Sequence, residues 1–531
     1  MMLFKKIYCI AVCVCFFVFS AYGRSGLSPF AFGLSEAKTG EERYAILYNT
    51  HKAACDLGVN VDYSGIRDVE ITIPEGAPSI PLTTLNDFCG VVFRVTNTSK
   101  DFYLFSYLPK SQPIVVTKKA IDDSRFYDNR VLSSGKHLLV VSDNNKWVES
   151  RSGHNYGHVR KDVILINNGK GHNHPIMPYD NVQSNPSCVV YDLPNERFLF
   201  KNISFKRAPL STHKTFLCNI SGVNNLSIEN VTITTPESTL SGDQAIRITN
   251  STNVKLNKVA INGTYSQKQQ FGYGVSLDNV WNLTVANMKG KGNWGVFGNN
   301  NINTATVKDS EINRFDIHCY GRDVKFLGVV FRDLYNQFSS TYGTIQFERC
   351  EFIGFTPVLY ETSYNSYVGH DLVFKKCTFH LNKNHFYLVD AGYFSNIINQ
   401  RAELMEKCLP NVTINKLSVL VEDDVDEMDI FKLTKEKSYD SEIAYLSGIN
   451  INGIECKYLR AGEPINISLV NADVNTINNL TISIRKVNAL ISGKTNAANS
   501  GGNIRTRLNA TNGRNSISVK RSRLSNAGSI K

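Results

Sequence analysis

A short phrase returns along this chain between about residue 198 and residue 380, and it limits the fold more than any other feature. It reads apolar-x-polar-apolar-x-apolar, as in Phe200-Lys201-Asn202-Ile203-Ser204-Phe205 and Ile228-Glu229-Asn230-Val231-Thr232-Ile233. Leu256-Asn257-Lys258-Val259-Ala260-Ile261, Phe347-Glu348-Arg349-Cys350-Glu351-Phe352 and Phe374-Lys375-Lys376-Cys377-Thr378-Phe379 are later copies. The copies recur every two to three dozen residues, the spacing of solenoid coils. Alternation with period two makes each a strand. A strand this short cannot bury its apolar face alone, so each coil must stack on the next. The polar position in the middle suits a bend, because Asn tolerates left-handed backbone. Tight Asn-Gly turns at even spacing, which a hairpin-built sandwich would show, are missing. The expected fold is all-β: a parallel β-helix, with an N-terminal helical cap and an irregular β-rich C-terminal extension.

The helical spacing over Glu41 to Leu57 supplies that cap, with Tyr44, Leu47, Tyr48, His51 and Cys55 on one face and Gly58 as a stop. Ahead of it, residues 1–23 read as an export signal: Lys5-Lys6, an apolar run from Ile7 to Phe19, then Ala21-Tyr22-Gly23. The run is too short to span a bilayer comfortably, and no later segment is apolar enough. The expected organisation is therefore a signal over 1–23, a flexible leader over 24–40, the β-helix over 41–408, and an extension or further coils over 409–531. The expected product is a secreted monomer.

Three of the twelve cysteines, Cys9, Cys13 and Cys15, lie in the signal. The remaining nine are odd in number and hold no Cys-x-x-Cys pair, which argues against both a disulfide framework and a zinc site. Cys350 and Cys377 share a place in their phrases and should stack inside the coil as small apolar residues. A formal net charge of +11 favours polyanionic partners, and the export signal disfavours nucleic acid among them. The acidic run Glu422 to Glu427 is most simply a solvated loop. The histidine-rich stretch around His154, His158, His172 and His174 lacks a ligand spacing and reads as a wet loop rather than a metal site.

In a solenoid, residues at one coil position form a row. Arg314 to Arg322 is the strongest such signal, since in an extended strand Arg314, Asp316, His318, Tyr320 and Arg322 point the same way. Five polar groups cannot face an apolar core without heavy desolvation cost. They must face water, a cleft or one another, and the plain alternative is Asp316 neutralising Arg314. Tyr273, Trp294, Arg247 and Lys291, from neighbouring coils, are candidates to bind a sugar chain by stacking and by charge. Asp243 and Asp316 are the carboxylates available to calcium, although no acidic cluster demands a metal.

The recurring phrase with a helical cap before it resembles the right-handed parallel β-helix proteins of the pectate-lyase-like superfamily over roughly residues 41 to 400. In character the chain is similar to secreted Bacteroidetes polysaccharide lyases that cleave uronic-acid polymers such as glycosaminoglycans or pectin. That resemblance implies β-elimination on an acidic polysaccharide, with His318 as base, Tyr320 as acid or alternative base, and Arg314 and Arg322 neutralising the uronate carboxylate. Calcium performs that last task in many such enzymes. Ser241-Gly242-Asp243-Gln244-Ala245-Ile246 looks like the Asp-Asp segment of polygalacturonases, but Gln244 replaces the second acid that hydrolysis requires. A glycan-binding solenoid without proton transfer would use the same rings and cations.

Overall fold

The computed structural model describes residues 26–109, 111–116, 130–148, 158–172, 187–208, 211–235, 245–262, 273–291, 295–333, 335–338, 341–354, 356–360, 369–382, 386–392, 410–422, 425, 427–434, 443–445, 448–458, 465–472, 476–478, 481–487, 490–492 and 505–508. They divide into two compact units, one drawn from Met1–Lys110, Pro194–Ser276 and Lys289–Trp294, the other from Ser111–Leu193, Leu277–Met288 and Gly295–Lys531. Each is a stack of parallel coils, and the parallel β-helix is the fold.

In the first unit the recurring phrase becomes a ladder. Asp68–Ile73, Leu85–Asn97, Phe198–Arg207, Leu226–Thr234 and Ile246–Asn262 pair in parallel, each with the next. Register superposes like on like: Ile203 faces Val231, which faces Val259, and Phe205 leads to Ile233 and Ile261. All six are buried, so every coil covers its neighbour's apolar row. The bend between the paired segments falls on Asn202, Asn230 and Lys258, each left-handed at φ 59°, 53° and 54°. Left-handed backbone costs most L-residues about 1–2 kcal/mol, and Asn tolerates it because its short amide bonds locally. Here the amides also bond along the stack: Asn230 Nδ2 donates to Asn202 Oδ1 and Asn202 Nδ2 to Asp87 Oδ1, both at 2.9 Å.

The cap precedes this ladder. Helix α1 (Gly40–Leu57) starts behind a complete capping box, Thr39 with Glu42, and stops at left-handed Gly58. Its buried face is Tyr44, Leu47, Thr50, His51, Ala53 and Ala54. Tyr48 and Cys55, expected on that face, lie at its margin and are half-buried. The segment read as a flexible leader carries structure: Gly26–Leu27 pairs in parallel with Asn60–Val61, and Pro29–Phe32 forms a 3-10 turn.

The second unit stacks Gly295–Lys308, Phe315–Leu327, Thr341–Glu348, Gly369–Lys375, Asn411–Val421, Gly448–Tyr458, Thr481–Val487 and Arg505–Leu508 in one parallel series. Pairing of the coil kind thus continues well past residue 409. Phenylalanines pile along its interior. Phe326, Phe347 and Phe374 stack at 4.8 and 5.1 Å between centroids, and Phe331, Phe352 and Phe379 at 5.1 and 4.7 Å. Cys350 and Cys377 lie buried as free thiols, as their shared place in the phrase requires.

One element of this unit breaks the coil rule. Lys170–His172, His158–Asn167, Lys136–Val148, Ser187–Asp192 and Ile114–Val116 form, in that order, an antiparallel sheet. Its alternation serves two apolar layers. Leu139, Val141, Ile164, Ile166, Cys188 and Val190 pack with Leu132 on one side; Leu138, Val140, Val163 and Leu165 pack with Leu193 and Trp281 on the other. Asn303 Nδ2 donates to Val163 O at 3.1 Å, tying the sheet to the coil wall. Among the described residues, no helix is long and apolar enough to cross a membrane.

Candidate functional site

The second unit gathers buried polar groups where the Phe315–Leu327 strand begins. Phe315 turns inward, with its ring 4.9 Å from Phe297 and 5.3 Å from Phe326. Alternation sends Arg314 and Asp316 to the opposite side. They are not exposed there. Arg314 is 2% exposed and Asp316 fully buried, with Arg314 Nε 2.5 Å from Asp316 Oδ2. The guanidinium also donates from Nη2 to Gln337 Oε1 at 3.1 Å and lies 4.4 Å from the centre of the Tyr335 ring. Asp316 Oδ1 accepts from the Gln337 backbone at 3.2 Å. One coil further, Asn336 Oδ1 accepts from the Phe315 backbone and its Nδ2 donates to Pro357 O.

The expected single row of five does not form. Asn299 pairs with Ile317 and Asn300 with Cys319, so His318 is the extra residue of a bulge, and the bulge resets the alternation. Two residues on, Tyr320 takes left-handed backbone at φ 67° and is buried. It sits in register beside Asn301, itself left-handed and bonded through Nδ2 to Asn279 Oδ1 at 2.8 Å. A tyrosine therefore occupies a bend that the preceding coils give to Asn. His318 reaches the surface margin, 15% exposed, with Nε2 3.7 Å from Asp316 Oδ2. Arg322 is 30% exposed and pairs with neighbouring Asp323 at 3.3 Å.

Burial alone would push the Asp316 carboxyl upward. The charge of Arg314 and the imidazole of His318 outweigh it, and the group is held below the usual carboxylate range. The unit thus contains an ionised, fully enclosed carboxylate with a guanidinium on one side and a partly exposed imidazole on the other. Such a carboxylate can orient the imidazole. Contact with a polymer is open to His318 and Arg322, whereas Arg314 and Tyr320 are enclosed.

The remaining candidates are not among the described residues of this unit. Arg247 and Tyr273 belong to the first unit, where exposed Arg247 lies beside the Tyr103 hydroxyl. Lys291 falls in register with Asn262 in that unit's ladder. Trp294 and Asp243 lie outside the described residues, as do His154 and His174. Among the described residues no three His, Cys, Asp or Glu groups are placed to hold a metal. Sequence reasoning missed Tyr335, Asn336 and Gln337. Their signal was the coil length itself, for Gln337 lies 21 residues after Asp316 and stacks directly on it.

No protein-family model matches this chain, and no curated protein does. Among solved structures it is similar to the Gp54 tailspike of Acinetobacter baumannii bacteriophage AP22, determined in complex with A. baumannii capsular saccharide. That likeness has a TM-score of 0.52 at 12% identity, over 90% of this chain and 76% of that one. The tailspike gp49 of Pseudomonas phage LKA1 aligns at 0.41 and 11% identity, over 90% and 81% of the two chains. The Streptococcus pneumoniae surface protein and adhesin PfbA aligns at 0.30 and 15%, over 91% and 96%. The first of these likenesses supports the β-helix fold.

Proposed function

We propose that this chain binds an acidic polysaccharide outside the cell and cleaves it by β-elimination, in the manner of the pectate-lyase-like β-helix enzymes. The observation that carries the reading is the Arg314–Asp316–His318 arrangement. A surface imidazole backed by an enclosed, ionised carboxylate is equipped to take a proton, and imidazole is the side chain that exchanges protons near neutrality. A net charge of +11 favours a polyanion as partner.

In this reading the proton beside the uronate carboxylate passes to the His318 nitrogen that does not face Asp316. The electron pair it leaves forms the new carbon–carbon double bond. The bond to the glycosidic oxygen breaks, and water supplies the proton that oxygen needs. Arg322 neutralises the substrate carboxylate and the charge that develops on it. Arg314 acts through Asp316 as a positioning residue. Tyr320, being enclosed, holds the bend instead of touching the polymer.

The test follows absorbance of the unsaturated uronate product while the full chain is incubated with hyaluronan, chondroitin sulfate, pectate and alginate. A rise on one of them, lost by two orders of magnitude or more in His318→Ala with the fold intact by circular dichroism, supports the reading. Reducing ends without absorbance would replace it with hydrolysis, and retention on the polymer with neither would replace it with a glycan-binding solenoid. Near-normal elimination by His318→Ala would remove His318 from the mechanism.

A further inference from the structure

The first unit contains a cavity that the proposed chemistry does not use. It measures about 430 Å³, within the range of small-ligand sites. It opens where the start of α1 meets the outer face of the Asp68–Ile73, Leu85–Asn97 and Phe198–Arg207 ladder. Register builds its wall. Glu70, Arg94, Lys206 and Thr234 stand in one row, a coil apart, and Thr72 and Thr96 stand two residues along on the same face. Strands in a sheet lie about 4.8 Å apart, so the row brings the bases of these charged and hydroxyl side chains to neighbouring positions on one face.

Charge in the cavity is unbalanced. Arg43, Arg94, Lys206 and Arg207 line it against the single carboxylate of Glu70. Arg94 is engaged with Asp68 at 2.9 Å. Arg43 is fixed by carbonyls, donating from Nε to Glu70 O at 2.6 Å and from Nη1 to Ala37 O at 3.2 Å, and neighbouring Glu42 offsets part of its charge. Lys206 has no ion-pair partner among the described residues, and it is only half-buried. Arg207 occupies a place in the inward row, following Ile71 and Val95, where an apolar residue is the rule. It is 4% exposed and still lines the cavity.

We infer that this cavity binds a small polyhydroxylated anion, a single sugar unit carrying a carboxylate, sulfate or phosphate. Guanidinium and ammonium groups take the oxyanion, and the threonine hydroxyls of the wall take the ring hydroxyls. The site lies in the first unit and stands or falls independently of elimination in the second.

Isothermal titration of the full-length protein with glucuronate, glucose 6-sulfate, glucose 6-phosphate, glucose and inorganic sulfate decides it. Binding of one or more of the charged sugars, at least tenfold tighter than glucose and tighter than inorganic sulfate, supports the site, and the tightest one identifies the oxyanion. Lys206→Glu, a partly exposed change, should weaken that binding tenfold or more. Glu70→Gln, which removes the opposing carboxylate, should tighten it. Glucose or sulfate binding as well as the charged sugars, no binding by any of them, or unchanged affinity in both variants would overturn the inference.

Discussion

The two stacks use the same strand alternation and treat their outward charges in opposite ways. In the first, Asp68 and Arg94 meet across adjacent coils at 2.9 Å with both side chains 44% exposed. In the second, Arg314 and Asp316 meet within one coil and both are enclosed. The alternation is the same, so it does not decide exposure. What packs on the outer face decides it. The second unit carries the antiparallel sheet against its wall and sets Tyr335 over Arg314. The first leaves its row open beside α1. Exposed pairs contribute little because water already solvates both partners, whereas an enclosed charge depends wholly on the partner it keeps.

The largest effect should therefore come from Asp316→Ala, which leaves the Arg314 charge enclosed beside an empty place. A loss of about 3–5 kcal/mol is expected, read as a large drop in the urea midpoint. Replacing both partners, Arg314→Met with Asp316→Leu, should cost less than the single change. The acid limb gives a second readout. Asp316 is held below the ordinary carboxylate range, so its contribution is complete above the unfolded value near 4 and disappears as pH falls through the depressed folded value. Asp316→Asn should flatten the fall in stability below pH 4. A mild Asp316→Ala, comparable to a surface change, would erase the contrast between the stacks.

An intermediate effect sharpens the comparison from the side of the first unit, which encloses a titratable group of its own. His51 is buried between Tyr63, whose hydroxyl lies 2.7 Å from Nε2, and the Pro81 carbonyl, 2.9 Å from Nδ1. Its ring also contacts Phe88 and Phe105. Burial pushes the imidazole down to about 4, against the opposing pull of the Pro81 carbonyl. The unfolded chain takes up the proton near 6.5 and the folded one only near 4. Stability is therefore full above 6.5 and falls through that window by on the order of 3 kcal/mol. A His51→Leu, Tyr63→Phe pair should lose this slope in a series of melts from pH 7 to 4. If the slope survives in the variant, its source lies elsewhere.

These contrasts also show what the residues alone disclosed. The phrase at Phe200–Phe205 and its copies fixed strand, coil and bend, because period, stacking and left-handed Asn are local properties. Gly58 likewise marked the end of the helix, whereas the Thr39–Glu42 capping box at its start emerged only in the structure. Burial of Arg314 was not legible, since it depends on a neighbour one coil away. Nor was the bulge at His318, which turned an expected row of five into an enclosed pair, a marginal imidazole and a tyrosine at a bend. The antiparallel sheet was not legible either: His158 and His172, expected in a wet loop, lie in its strands, and the partners of Lys136–Val148 lie at both shorter and longer range in the chain. The cationic cavity was invisible for the same reason: Arg43, Arg94 and Lys206 come from separate stretches of sequence.

The smallest expected effect is the most direct test of that distinction. Asp68→Ala removes the acid from an ion pair of the same residue types as the one Asp316 makes, but in water. The urea midpoint should stay within the error of the measurement, and 0.5 M salt should remove any residue of a difference, because exposed charges are screened. The same salt should leave the large Asp316→Ala deficit in place. Freed from Asp68, the Arg94 guanidinium also becomes available to the cavity it lines. Asp68→Ala should thus bind a charged sugar more tightly while being no less stable, a separation of binding from stability that an enclosed pair cannot show.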